Sequence, residues 1–146
     1  MPVFSPLSPD EIKRAVNDLF GDPSEDNRPT RLHGPIGKWD VSQVTDMSNI
    51  FRDLNVFNYT LYNWDVSRVT DMYAMFFYAE SFNQDLSNWD VSRVVDMQGM
   101  FADASSFQQT LCGKAWVNSK ALKVDMFTGS PGSISDTVCG TWWMLW

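Results

Sequence analysis

Two sets of aspartates recur at a fixed interval along the chain: Asp40, Asp65 and Asp90, and Asp46, Asp71 and Asp96, each 25 residues from the next. Columns of like charge, spaced about 4.8 Å apart if the repeats stack, repel one another and require compensation. Helix N-terminal N–H groups, Arg68 and Arg93, or a bound cation could supply it. Paired carboxylates also suggest glycoside hydrolysis, and oxygen-rich rows suggest calcium. An active site needs one asymmetric constellation, however, whereas these residues recur in every repeat. No Asp-x-Asp-x-Asn-Gly loop is present. The aspartates are therefore expected to cap local turns, and no catalytic residue, metal or cofactor is expected.

The other reactive side chains read the same way. His33 is the single histidine, beside Gly34 and Pro35, with no nucleophile motif nearby. Ser42, Ser67 and Ser92 recur with the repeat and suit turn hydroxyls. Asn58, Asn83 and Gln108 form a column expected to be a hydrogen-bond ladder for turn backbone. Binding chemistry is sought instead where the repeats differ. One candidate set comprises Tyr59, Gln84 and Gln109, then Thr60, Asp85 and Thr110, with Tyr62 and Ser87 beside them. A second comprises Tyr73, Phe77 and Tyr78, spaced to share a helical face.

These residues are positioned by a repeat. Trp39, Trp64 and Trp89 each open a run of the form Trp-Asp-Val-Ser-x-Val-x-Asp-Met. Downstream, Ile50-Phe51, Met75-Phe76 and Met100-Phe101 align, as do Phe57, Phe82 and Phe107. Ile36, Leu61 and Leu86 precede each Trp by three residues. The three- to four-residue spacing of Val91, Val94, Met97, Met100 and Phe101 predicts a short helix or 3₁₀ turn over Val91 to Phe101. Gln84 to Asp90 is expected to be a short strand paired with its counterpart in the next repeat. The expected fold class is thus α/β, a leucine-rich-repeat-like solenoid of strand-plus-short-helix coils.

Such coils need covered ends. Ser8, Pro9 and Glu11 suit an N-cap, N1 and N3, with Leu7 and Ile12 placed for a hydrophobic staple. A helix from Pro9 to Phe20 is predicted, with Ile12, Ala15, Val16, Leu19 and Phe20 on one face, Gly21 as its stop, and an exposed loop from Asp22 to Arg31. At the other end the repeat loses register, since Trp116 follows Trp89 by 27 residues and Met126-Phe127 follows Met100-Phe101 by 26. The organisation expected is a single domain: cap and loop over 1–35, three regular repeats over 36–110, and an irregular final coil with its cap over 111–146. Cys112 and Cys139 bracket that coil and are expected to form a disulfide; the alternative is two free thiols in a reducing compartment. Thr141 to Trp146 is almost wholly apolar. It could fold back on the last coil, dock on a partner, a second copy or a membrane interface, or mark a chain that continues.

Composition excludes several classes. With 18 acidic against 11 basic residues and a net charge of −7, binding to a nucleic-acid backbone is not expected. No apolar run has the roughly 18 residues of a transmembrane helix. Met1 to Asp10 lacks the basic and apolar regions of a secretory signal. Two cysteines without Cys-x-x-Cys spacing suggest neither zinc nor thiol redox chemistry.

The run Trp-Asp-Val-Ser-x-Val-Thr-Asp-Met-x-x-Met-Phe, followed by Phe-Asn-Gln-x-Leu-Ser-x-Trp, stands at Trp64 to Phe76 and Phe82 to Trp89. It closely resembles the BspA-like leucine-rich-repeat family of microbial and protist surface proteins, over about Ile36 to Phe127. Ile50 replaces the family's Met, and Val95 its Thr. The resemblance implies a leucine-rich-repeat-type fold, a cell-surface or extracellular setting, and a binding or adhesion role toward a protein or glycan, with no catalytic residues and no cofactor. The functional expectation is a non-enzymatic recognition or adhesion module. Its alternatives are a structural spacer or assembly subunit and, last, a hydrolase using the acidic columns.

Overall fold

The computed structural model describes residues 2–20 and 33–140. The N-terminal helix α1 (Pro9–Phe20) begins at a reciprocal cap, as the Ser8 Oγ accepts the Glu11 N–H at 3.2 Å and the Glu11 carboxylate accepts the Leu7 N–H at 2.6 Å. Ile12, Ala15, Val16 and Leu19 form its buried face, and Phe20 meets Phe57 edge-on at 5.5 Å. The expected staple is absent: Leu7 is 70% exposed, while Ile12 is fully buried. Gly21 and the loop from Asp22 to Arg31 lie outside the described residues.

The expected α/β leucine-rich-repeat-like solenoid of strand-plus-short-helix coils is overturned. Among the described residues, regular structure comprises α1, a 3₁₀ turn at Ile36–Lys38, a second helix α2 (Lys114–Val117), and strands β1 (Thr110–Leu111) and β2 (Ser133–Ile134). Neither predicted element of the repeat forms. Gln84 to Asp90 is not a strand, and Val91 to Phe101 is a series of turns in which Asp96 makes single parallel bridges to Asp71 and to Leu122, as Asp46 does to Asp71.

The backbone bonding explains the difference. In the second repeat, i→i+3 bonds close turns from Met72 to Met75, Ala74 to Phe77 and Phe76 to Ala79. Between them, the N–H groups of Met72, Ala74, Phe76 and Tyr78 donate to the carbonyls of Asp96, Gln98, Met100 and Ala102 in the next repeat. An α-helix would have spent those donors within the segment. A strand would have turned alternate side chains outward, whereas Met72, Ala74, Met75, Phe76 and Ala79 are all buried. Continuous turns meet both demands by placing recurring residues in the left-handed region: Asn49, Ala74 and Gly99 in one position, Asp53, Tyr78 and Asp103 in another.

Residues one period apart lie ring on ring. Trp39, Trp64 and Trp89 stack at 6.4 and 6.5 Å between centroids. Phe51, Phe76, Phe101 and Phe127 stack at 5.3 to 5.5 Å, and Phe57, Phe82 and Phe107 at 5.7 and 5.8 Å. Three of the indole N–H groups donate to buried carbonyls, Trp64 to Ile36, Trp89 to Leu61 and, despite its shifted spacing, Trp116 to Leu86, while Trp39 donates to Gly34 at 3.2 Å. The chain ends this core with β1 and β2 paired in parallel, Thr110 opposite Ser133 and Leu111 opposite Ile134, and with a disulfide joining Cys112 to Cys139.

Candidate functional site

The repeating carboxylates are committed to their own turns. Asp40, Asp65 and Asp90 accept the N–H of Ser42, Ser67 and Ser92 at 3.0 to 3.1 Å, and Asp46, Asp71 and Asp96 accept those of Ser48, Tyr73 and Gln98 at 2.8 to 2.9 Å. These are Asx turns, in which the side chain stands in for a backbone carbonyl. Hydrogen bonds from the Ser42 hydroxyl and N–H hold the Asp40 carboxyl below the ordinary aspartate range, and Ser67 does the same for Asp65. Arg68 acts weakly on Asp65, its guanidinium donating instead to Gln43 at 2.7 Å. Among the described residues, no group of three or more His, Cys, Asp or Glu side chains could hold a metal ion.

The amide column is likewise used internally. Asn58 Oδ1 accepts the backbone N–H of Asn83, whose own Oδ1 accepts that of Gln108. Gln84 and Gln109, both in the first candidate set, donate to the same two oxygens at 2.9 Å. Asp85 accepts the Ser87 N–H at 2.9 Å. These members of the set thus serve backbone and ladder, although Asp85 remains exposed.

Thr60 makes the matching turn, its Oγ1 accepting the Tyr62 N–H at 3.3 Å, but the tyrosine side chains differ. Tyr59 and Thr60 line a groove of about 310 Å³ with Leu19 and Phe20 of α1 and with Ile36. Tyr62 is 56% exposed, and its carbonyl accepts Asn88. The second set does not share a helical face, because its segment is built of turns. Tyr73 and Phe77 instead line a separate groove of about 270 Å³ with Arg52, Gln98 and Val124. Tyr78, left-handed at φ 56°, rests edge-on against Phe77 at 4.9 Å. Tyr59 and Tyr73 thus line two different grooves.

Sequence reasoning missed Arg52, whose guanidinium carbon lies 4.5 Å from the centre of the Phe77 ring, a cation–π contact across adjacent repeats. The one-period offset of Arg52 from Phe77 was visible, but not its direction. His33 packs against Phe4 at 4.1 Å and edge-on to Trp39 at 6.0 Å, and its Nε2 lies 4.0 Å from an Asp18 carboxylate oxygen. It belongs to the packing over the first tryptophan. Among the described residues, no helix is long and apolar enough to cross a membrane. The apolar segment Thr141 to Trp146 lies outside them.

A family model described as "Mycoplasma protein of unknown function, DUF285" matches residues 18–139, most of the chain, so the chain belongs to that family. No curated protein and no solved structure matches it.

Proposed function

We propose that this member of the DUF285 family is a non-enzymatic recognition module that binds a protein or glycan through exposed residues at which its repeats differ. One observation carries the reading. The recurring polar groups have partners within the fold, while the non-recurring Tyr59, Tyr62, Tyr73 and Tyr78 keep between 42 and 56% of their surface open. Tyrosine offers a large rigid contact area together with a hydroxyl, and it orders at low entropic cost. The Tyr73–Phe77 groove, with Arg52 fixed over its ring, is the preferred contact surface. The resemblance to BspA-like proteins supports the same role and a cell-surface setting.

The test is a glycan and surface-protein array probed with the purified chain and with a Tyr73→Ser/Tyr78→Ser double variant. The wild type should retain a defined set of spots and the variant should lose them. Identical patterns for the two would refute this surface as the binding face.

A second reading, an assembly subunit, rests on the last row of turns. The N–H groups of Lys123, Asp125, Phe127 and Gly129 have no acceptor among the described residues. Sedimentation across a wide concentration range separates the two: a monomer throughout excludes assembly, and concentration-dependent growth supports it.

A further inference from the structure

A groove of about 680 Å³ lies away from the tyrosines, between the third repeat and α2. It exists because the fourth unit departs from the pattern. In the first three repeats the turn after each tryptophan carries two buried valines, Val41 and Val44, Val66 and Val69, Val91 and Val94. After Leu111, two extra residues bring in α2, Trp116 fills the tryptophan position, and no matching valine turn follows. The Asp90 to Val95 turn borders the groove on that side, and Val95, in an outward position that is also exposed at Thr45 and Thr70, puts an apolar side chain there, 65% exposed.

The charge of this groove is opposite to that of the chain. The segment from Gly113 to Val124 holds three lysines and no acidic residue, in a protein of net charge −7. Lys114 and Lys120 line the groove with Arg93, and Asp90 is the single carboxylate there. Lys123 is occupied, donating to the Ser119 and Ala121 carbonyls at 2.9 and 3.1 Å. The other three cations have neither an ion pair nor a side-chain hydrogen bond among the described residues, where the ion pairs are His33–Asp18 and Arg52–Asp53. Three cations facing one cleft repel one another and are stabilised by an anion entering it.

We propose that this groove binds an extended acidic peptide segment of a partner protein, its carboxylates meeting Arg93, Lys114 and Lys120 and its apolar side chains resting on Val95 and Ala121. The lining favours peptide over sugar. It has aliphatic walls and no aromatic ring on which a pyranose could stack. This inference is independent of the tyrosine surface.

The experiment is fluorescence anisotropy with a labelled ten-residue peptide alternating Glu and Val, compared with its Gln/Val counterpart and with an oligogalacturonate of similar charge. The Glu/Val peptide should bind at least about tenfold more tightly than the Gln/Val peptide, and the preference should fade as salt rises. Lys114→Gln/Lys120→Gln should remove about tenfold of the affinity, whereas Lys114→Arg/Lys120→Arg and Tyr73→Ser/Tyr78→Ser should retain it. Circular dichroism of each variant confirms that these exposed substitutions leave the fold intact. Equal binding of the Gln/Val peptide, unchanged affinity in the Gln double variant, or tighter binding of the oligogalacturonate would each overturn the proposal.

Discussion

The indole N–H of Trp89 donates to the carbonyl of Leu61 at 3.0 Å, reaching back 28 residues into the preceding repeat. Trp64 makes the same bond to Ile36 at 2.8 Å, so both tryptophans stack on a neighbour and add a second donor to a buried carbonyl that already accepts a backbone N–H. Trp64→Ala should cost about 3 to 5 kcal/mol. Trp64→Phe keeps a ring but removes one of the two donors to the Ile36 carbonyl, which still accepts the Trp39 backbone N–H at 3.2 Å, and should cost about 0.5 to 1.5 kcal/mol beyond any repacking. Tyr78→Ala, at a 42% exposed position, should cost less than either. Urea denaturation of the three variants checks the order.

Ser42 and Asp40 set a second expectation. The Ser42 hydroxyl donates to Asp40 Oδ1 at 2.6 Å, and this bond, with the N–H bond beside it, lowers the carboxyl from its ordinary 3.8 against a small opposing effect of burial. A carboxyl with a lowered folded pKa stabilises the protein above the unfolded value, and that contribution disappears as pH falls through the folded value. Ser42→Ala should raise the Asp40 titration midpoint toward 3.8 and shift the onset of acid unfolding upward. Carboxyl carbon NMR across an acid titration measures the first; an unmoved midpoint would refute the assignment.

These two contacts mark what was legible in the sequence. A 25-residue period locates the tryptophan and phenylalanine columns and the amide ladder, because stacking demands the same residue in every repeat. The same spacing that placed Val94, Met97 and Met100 together suggested a helix, since turns with i→i+3 bonds and helices bury residues at similar intervals. What separates them is the destination of N–H groups such as those of Ala74 and Gly99, which leave the segment for the next repeat. A composition that places Asn49, Ala74 and Gly99 in one column hints at left-handed backbone only at its glycine and asparagine. The candidate tyrosines were found by their failure to repeat. The cationic groove was missed because it arises where Trp116 breaks register and α2 replaces a turn.

Two glycines should respond in opposite degree. Gly99 is left-handed at φ 62°, and an added Cβ would lie 3.9 Å from the Phe77 ring, an ordinary contact. Gly99→Ala should therefore cost only the backbone preference, about 1 to 2 kcal/mol, consistent with the alanine already present at Ala74, φ 51°. At Gly113 a Cβ would collide with the Ser87 carbonyl oxygen, which the backbone holds in place. Gly113→Ala should cost about 3 kcal/mol or more. Equal thermal shifts for the two variants would contradict this packing at the entry to α2.

The Cys112–Cys139 disulfide closes a span of 27 residues around α2, β2 and the fourth row of turns. In the chain-entropy treatment a loop of this size contributes about 3 to 4 kcal/mol. Cys139→Ser should lower stability by that order and loosen Lys114 to Ser133 selectively. Limited proteolysis, with new cuts confined to that segment, distinguishes this from a general loss of stability.

The open row of turns supplies the final expectation. Met97, Gly99, Phe101 and Asp103 donate their N–H groups to Leu122, Val124, Met126 and Thr128 at 2.8 to 2.9 Å, while Lys123, Asp125, Phe127 and Gly129, one row further, have no acceptor among the described residues. Amide exchange requires a broken hydrogen bond or a free N–H, so protection reports this difference directly. In a dilute sample, the four amides from Lys123 to Gly129 should exchange faster than those of Met97 to Asp103, even though Met126 between them is buried. Cys139→Ser should widen the contrast by releasing the segment that anchors the row. Repeating the measurement at high protein concentration adds the decisive comparison. Protection that appears only there would mean that a second copy supplies the missing carbonyls, favouring the assembly reading; protection at every concentration would refute the open row.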